Sequence, residues 1–167
     1  LIGGDLFGNT VSFDVGGSQT TLSRYYGIWT EDCAGIRVVD NNLSNTADMG
    51  DLPEFMAIFA ENCQAGFIQC NHVNSVSRGL TFKNNCELTI PRNNYFANYW
   101  HGIEIFDDQT IVSGVMGELI PGTSDYISFD NKWLYVTPED PDKFKVFNNN
   151  VLLVINWYYQ GTAGFDE

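Results

Sequence analysis

The sequence predicts an all-β chain wound as a solenoid, about seven coils of 23 residues stacked by strand pairing. Three observations predict it. Residues 57–79 and 80–102 are equal in length and share Phe at the third position, Asn-Cys at the sixth and seventh, Asn at the fifteenth and Gly at the last. The same frame starts rows at Gly4, Gly27, Ala57, Leu80, Ile103, Tyr126 and Asn149, and its sixth position holds Asn or Asp in six of them. Within a row, stretches such as "GLTFKNN" alternate apolar and polar side chains with period two, the mark of short strands with one buried face.

Each part of the row has a reason. Position three holds Leu6, Trp29, Phe59, Phe82 and Ile105, and position seventeen holds Leu43, Val73, Phe96 and Leu119; both columns are expected inside the coil. Position six holds Asn9, Asp32, Asn62, Asn85, Asp108 and Asn131. These residue types tolerate left-handed backbone, and stacked amides can bond one to the next, so this column is expected to form a structural ladder. Position fifteen repeats Asn41, Asn71 and Asn94. Position seven repeats Cys33, Cys63 and Cys86, expected inside as free thiols because parallel neighbours point the same way rather than at each other.

Between the Gly27 and Ala57 rows the step is longer, with an insertion at 50–56. It holds the one short helix the chain predicts, with Asp51 as cap and Pro53 in the first turn. The last row, 149–167, loses the Asx column and carries the apolar run from Val151 to Ile155; it is expected to be a cap or an attachment row. Residues 1–167 therefore form a single domain, or a segment of a longer chain.

Composition narrows the function. The net charge is −13 and the pI about 4.2, a surface that repels phosphate backbones and anionic lipid. Nucleic acid and membrane are not expected partners. No apolar run approaches the roughly 20 residues that span a bilayer. Four cysteines without a CxxC pair exclude a zinc knuckle.

The cadence of "GIRVVDNNLSN", "GLTFKNNCELTIPRNNYFANYWHG" and "HGIEIFDDQTIVSG" resembles the right-handed parallel β-helix of the pectin-lyase-like superfamily. That group includes pectate lyases, polygalacturonases, other polysaccharide lyases and epimerases, and the shafts of phage tailspikes. The resemblance covers residues 4 to 155 and implies a right-handed parallel β-helix. It also implies a polysaccharide partner, an extracellular or virion-surface location and, for an enzyme, a polysaccharide lyase or glycoside hydrolase. Two features depart from the family pattern. The usual N-terminal helix that plugs the coil is missing, and "WHGIEIFDD" has the polygalacturonase Gly-His-Gly and Asp-Asp elements in altered order without Arg-x-Lys. No catalytic residue transfers on that basis.

The candidate chemistry comes from the residues themselves. Position five is acidic, with Glu31, Glu61, Asp107 and Asp130. Carboxylates on neighbouring rungs would stand about 5 Å apart and on alternate rungs about 10 Å, spacings that bracket glycosidase geometries. The same pairs would suit Ca²⁺, the one cofactor the sequence suggests. Tyr95, Tyr99, Trp100 and His101 lie together in one turn and could stack on sugar rings. The expected function is a polysaccharide-binding or polysaccharide-degrading module. The competing expectation is a structural shaft or adhesin module held as a homo-oligomer, a trimer in particular. A third is a lipocalin-like carrier, suggested by "GIW" at 27–29.

Overall fold

The computed structural model describes residues 2–13, 24–46, 54–112, 115–116, 118–119, 121–122, 126–127, 129–134, 144–150, 152–153 and 155–157. Among these there is no helix. The strands are β1 (Ile2–Phe7), β2 (Thr10–Phe13), β3 (Arg24–Val39), β4 (Asn42–Asn45), β5 (Glu54–Gln64), β6 (Phe67–Gln69), β7 (His72–Lys83), β8 (Ile90–Arg92), β9 (Tyr95–Ile105), β10 (Val115–Met116), β11 (Glu118–Leu119), β12 (Tyr126–Ile127), β13 (Lys132–Leu134), β14 (Phe144–Asn148) and β15 (Asn156–Trp157). Eleven of them form one open sheet in which every pairing is parallel. The long strands pair in chain order, β1 with β3, β3 with β5, β5 with β7, β7 with β9 and β9 with β14.

One side-chain ladder runs through these layers. Asn9, Asn41, Asn71, Asn94 and Asn131 are joined Nδ2 to Oδ1 at 2.9, 2.9, 2.9 and 3.0 Å. Each Oδ1 also accepts the main-chain N–H of the preceding member, at 3.0 to 3.1 Å. The spare amide hydrogens go to main-chain carbonyls of the layer before, Leu6, Val38, Ile68 and Pro91. The members stand 32, 30, 23 and 37 residues apart, so layers of unequal length are held at the same point.

The chain turns corners by left-handed backbone, again in columns. The positive-φ residues align as Gly3, Gly35, Ala65 and Leu88; as Gly8, Asp40, Cys70, Asn93 and Asp130; as Asp32, Asn62 and Asn84; and as Ser75 and Asn98. Gly, Asn and Asp take this conformation at low cost, and they fill most of these places.

The ladder expected at position six is divided by this arrangement. Asn9 and Asn131 belong to the ladder just described, whose other members come from position fifteen. Asp32 and Asn62 are corner residues, exposed and joined by Asn62 Nδ2 donating to Asp32 Oδ1 at 2.6 Å. Their neighbour in the next layer is Asn84, not Asn85, because β5 and β7 pair with Glu61 opposite Lys83, a step of 22 rather than 23. The extra residue is recovered between Asn84 and Leu88. Asn85 makes a bridge to Ile111 and accepts the Glu87 N–H, and Asp108 is exposed in the turn after β9.

The same slip corrects position three. Phe82 and Ile105 belong to the main core cluster; Phe59, buried but paired with Thr81, packs on the other face of the sheet beside the half-exposed Trp29. A one-residue change of register moves a side chain to the other face of the sheet. The regular step also ends after β9. β13 returns to the start of β9, β14 to its end, and the intervening β11 and β12 make an antiparallel pair.

Three further expectations change. Residues 54–56 are strand, part of β5, rather than helix, and 50–53 lie outside the described residues. Cys33 and Cys63 are joined by a disulfide across β3 and β5, where directly paired residues bring their Cα atoms to 4.6 Å; Cys70 and Cys86 are free. In the 149–167 row, β15 pairs with β10, and most of the remainder lies outside the described residues.

Val38, Leu43, Ile58, Val73, Leu80, Phe82, Phe96, Ile103 and Ile105, drawn from successive parallel strands, pack together in one buried core cluster. At Gly79 a Cβ would stand 2.5 Å from the Gly102 carbonyl and 2.5 Å from the Phe96 ring, so the wall can pass there only without a side chain.

Candidate functional site

One four-residue pattern recurs in four adjacent strands: Tyr26-Gly27-Ile28-Trp29, Met56-Ala57-Ile58-Phe59, Arg78-Gly79-Leu80-Thr81 and His101-Gly102-Ile103-Glu104. The small second residue and the aliphatic third both point inward; a Cβ on Gly27 would meet Leu43 and one on Gly79 would meet Phe96. Two successive inward residues fold the strand at that point, with its outer surface inside the angle. In a flat strand, residues three apart point to opposite faces. Here His101 Nδ1 and Glu104 Oε1 are 3.3 Å apart.

That angle holds a buried polar cluster. Arg78 Nε forms a salt bridge with Glu104 Oε2, and Thr81 Oγ1 donates to the same oxygen at 3.4 Å. A carboxylate only accepts, so His101 Nδ1 carries the hydrogen of its contact with Glu104. The His101 ring lies flat on Phe147 of β14, with centroids 4.0 Å apart. The Glu104 side chain is 2% exposed and that of Arg78 17%, so Arg78 is the member of the cluster nearest to solvent.

Beside the cluster, toward β3, the same face is aromatic. Tyr26 is 5.0 Å from Trp29 and 5.1 Å from Phe59 between ring centroids; Phe59 meets Phe106 edge-on at 6.2 Å. Trp29 is 52% exposed. Arg24 and Lys83 lie over the Phe106 ring at 5.7 and 5.8 Å. Glu31 and Glu61 face each other across β3 and β5; Glu61 Oε1 takes Lys83 Nζ at 2.8 Å and Asn84 Nδ2 at 3.1 Å.

The residues singled out in the sequence are distributed differently. β9 turns at Asn98, so Tyr99 packs in the core against Phe96, while Tyr95 on the other arm meets His72. Trp100 is half-buried, 6.3 Å from the His101 ring. Only His101 among these four enters the polar cluster. Asp107 accepts the Gln109 N–H and the Thr110 hydroxyl and closes the turn after β9. Asp130 is a left-handed corner residue before β13, which pairs with the opposite end of β9. Among the described residues, no three His, Cys, Asp or Glu side chains converge to hold a metal. The "GIW" segment lies in β3, paired in parallel with β5.

No family model matches the chain, and neither a curated protein nor a solved structure does.

Proposed function

We propose that the chain is a right-handed parallel β-helix of the pectin-lyase-like kind, acting outside the cell or on a virion surface as a polysaccharide-binding module. Parallel pairing of successive layers, one Asn rung in five of them and corner columns support the β-helix. Parallel crossovers are right-handed in about 98% of cases. The disulfide fits an oxidising compartment.

The observation that carries the function is Trp29, half out in solvent and braced by the tilted Tyr26 ring and the edge-on Phe59 ring, with exposed Glu31 two residues on in the same strand. An apolar platform with polar groups at its rim suits a sugar ring. Binding is favoured over cleavage because the other carboxylates nearby are engaged: Glu61 by Lys83 and Asn84, Glu104 by Arg78, Thr81 and His101, and Asp32 by Asn62. Glycosidic hydrolysis needs two carboxyl groups available to the bond.

A glycan array followed by titration calorimetry tests this. Trp29→Ala should abolish binding of the polysaccharide that the wild type retains, with the melting midpoint nearly unchanged. A wild type that retains no glycan, or a Trp29→Ala variant that binds as well, overturns the proposal. A blank array from a trimer that protects Trp29 from quenchers would leave the structural shaft as the function.

A further inference from the structure

The column that holds the Cys33–Cys63 disulfide contains a third sulfur. Cys86 lies in the next layer, completely buried and in the same core cluster. Its thiol donates toward the carbonyls of Ala60 and Lys83, both at 3.3 Å, and also lies against the main chain of Asn62 and Cys63. Thr89 ties the two segments together: its hydroxyl donates to the Cys63 carbonyl at 2.6 Å and its N–H to the Cys86 carbonyl at 3.2 Å. Cys63 therefore has a cysteine in the layer on either side. Cys70 is elsewhere, at a left-handed corner, its N–H bonded to the Arg92 carbonyl.

We infer that Cys63 has two alternative disulfide partners, and that the crosslink can pass from Cys33–Cys63 to Cys63–Cys86 by internal exchange. The Cys86 thiolate attacks the Cys63 sulfur, a new S–S bond forms, the old one breaks, and Cys33 leaves as the thiolate. The proton given up by Cys86 ends on Cys33. One disulfide and one thiol are present before and after, so no oxidant or reductant is consumed. Burial pushes the Cys86 thiol above its ordinary range, which keeps the thiolate scarce in the closed protein. Exchange is then coupled to local opening of this wall. Its effect is to move the staple by one layer. Cys33–Cys63 spans the long step that contains residues 47–53, and Cys63–Cys86 leaves that step unstapled.

The test uses the full chain with Cys33→Ser, oxidised with diamide, acid-quenched, alkylated and mapped by peptide mass spectrometry. The expected product is a Cys63–Cys86 disulfide with Cys70 alkylated. Cys63 and Cys86 both alkylated, or Cys63 joined to Cys70, overturns the inference. Should that variant fail to fold, the wild type at pH 8.5 in sub-denaturing urea gives the second measurement. There the Cys63–Cys86 peptide should accumulate with alkylated Cys33, and a Cys86→Ser variant should yield neither. Absence of that peptide after the amide of Cys86 has fully exchanged its hydrogen also overturns it, because the wall has then opened without exchange.

Discussion

Replacing Asn71 with Leu removes the middle rung of the ladder while keeping side-chain size. The Asn71 Oδ1 accepts the Asn41 N–H at 3.0 Å and Asn41 Nδ2 at 2.9 Å; its own Nδ2 donates to Val38 O and to Asn94 Oδ1, each at 2.9 Å. Asn41 Nδ2 keeps the carbonyls of Leu6 and Val39, and Asn94 Oδ1 keeps the Asn71 N–H. The buried Asn41 N–H loses its acceptor and the Val38 carbonyl loses a donor. At about 1–3 kcal/mol for each buried group left unsatisfied, the cost is about 2–6 kcal/mol. For a chain of this size the melting midpoint should fall by roughly 4–24 °C. Asn85→Leu is the control. Asn85 is half-buried, its amide oxygen takes the N–H of exposed Glu87, and its loss should cost under about 1 kcal/mol. Urea unfolding followed by tryptophan fluorescence measures both. Equal midpoints for Asn71→Leu and wild type, or an Asn85→Leu variant as weak as Asn71→Leu, would refute the assignment of the ladder.

Gly79→Ala should cost about 1–3 kcal/mol through its clash with the Gly102 carbonyl and Phe96, whereas Gly35→Ala, with φ +67 and no atom near its Cβ, should cost about 1 kcal/mol from backbone strain alone; thermal melts compare them. Glu104→Gln removes the buried carboxylate from the Arg78 salt bridge and should destabilise by about 3 kcal/mol, and adding Arg78→Met should recover part of that loss in chemical denaturation. Iodoacetamide should label half-buried Cys70 first. Because the Cys86 pKa is raised by burial, its labelling should stay slow through the pH range where ordinary thiols ionise, and rise to the Cys70 rate only in denaturant.

The stacked character of the fold was legible because ladder and corner chemistry demands Asn, Asp or Gly at fixed places. Asn41, Asn71 and Asn94 stood in one column of the sequence frame, and Cys33 and Cys63 in another. What misled was the assumption of a constant step. One residue missing between β5 and β7, restored in the turn after Asn84, shifts the labels of the paired β5 and β7 residues by one while leaving the composition of the columns similar. That is why Trp29 and Phe59 read as core beside Phe82. The candidate site was present in the sequence as the quartets ending in Trp29, Phe59, Thr81 and Glu104. Their shared signal is a small residue followed by an aliphatic one, and it marks the inward pair of a fold in the strand. Arg78 and Glu104 belong to different quartets, and only the parallel register brings them together. The Cys33–Cys63 bond was missed because side chains on neighbouring parallel strands were expected to remain side by side, yet directly paired cysteines at 4.6 Å between Cα atoms are close enough to join.

The Asn ladder has a sense of direction. Every rung from Asn9 to Asn94 gives its main-chain N–H and one amide hydrogen to the Oδ1 of the following rung, and no rung gives a hydrogen to the Oδ1 of the rung before it; only the second amide hydrogens reach back, to main-chain carbonyls. The stack is therefore a vector, and its two ends are chemically unlike. A layer added before Asn9 extends the series only by presenting donors to the Asn9 oxygen. One added after Asn131 must present an acceptor to the Asn131 amide. Two copies brought together by like ends would set oxygen against oxygen or hydrogen against hydrogen along this line. Growth of the array, by duplication of a layer or by end-to-end assembly, is compatible with the ladder only head to tail.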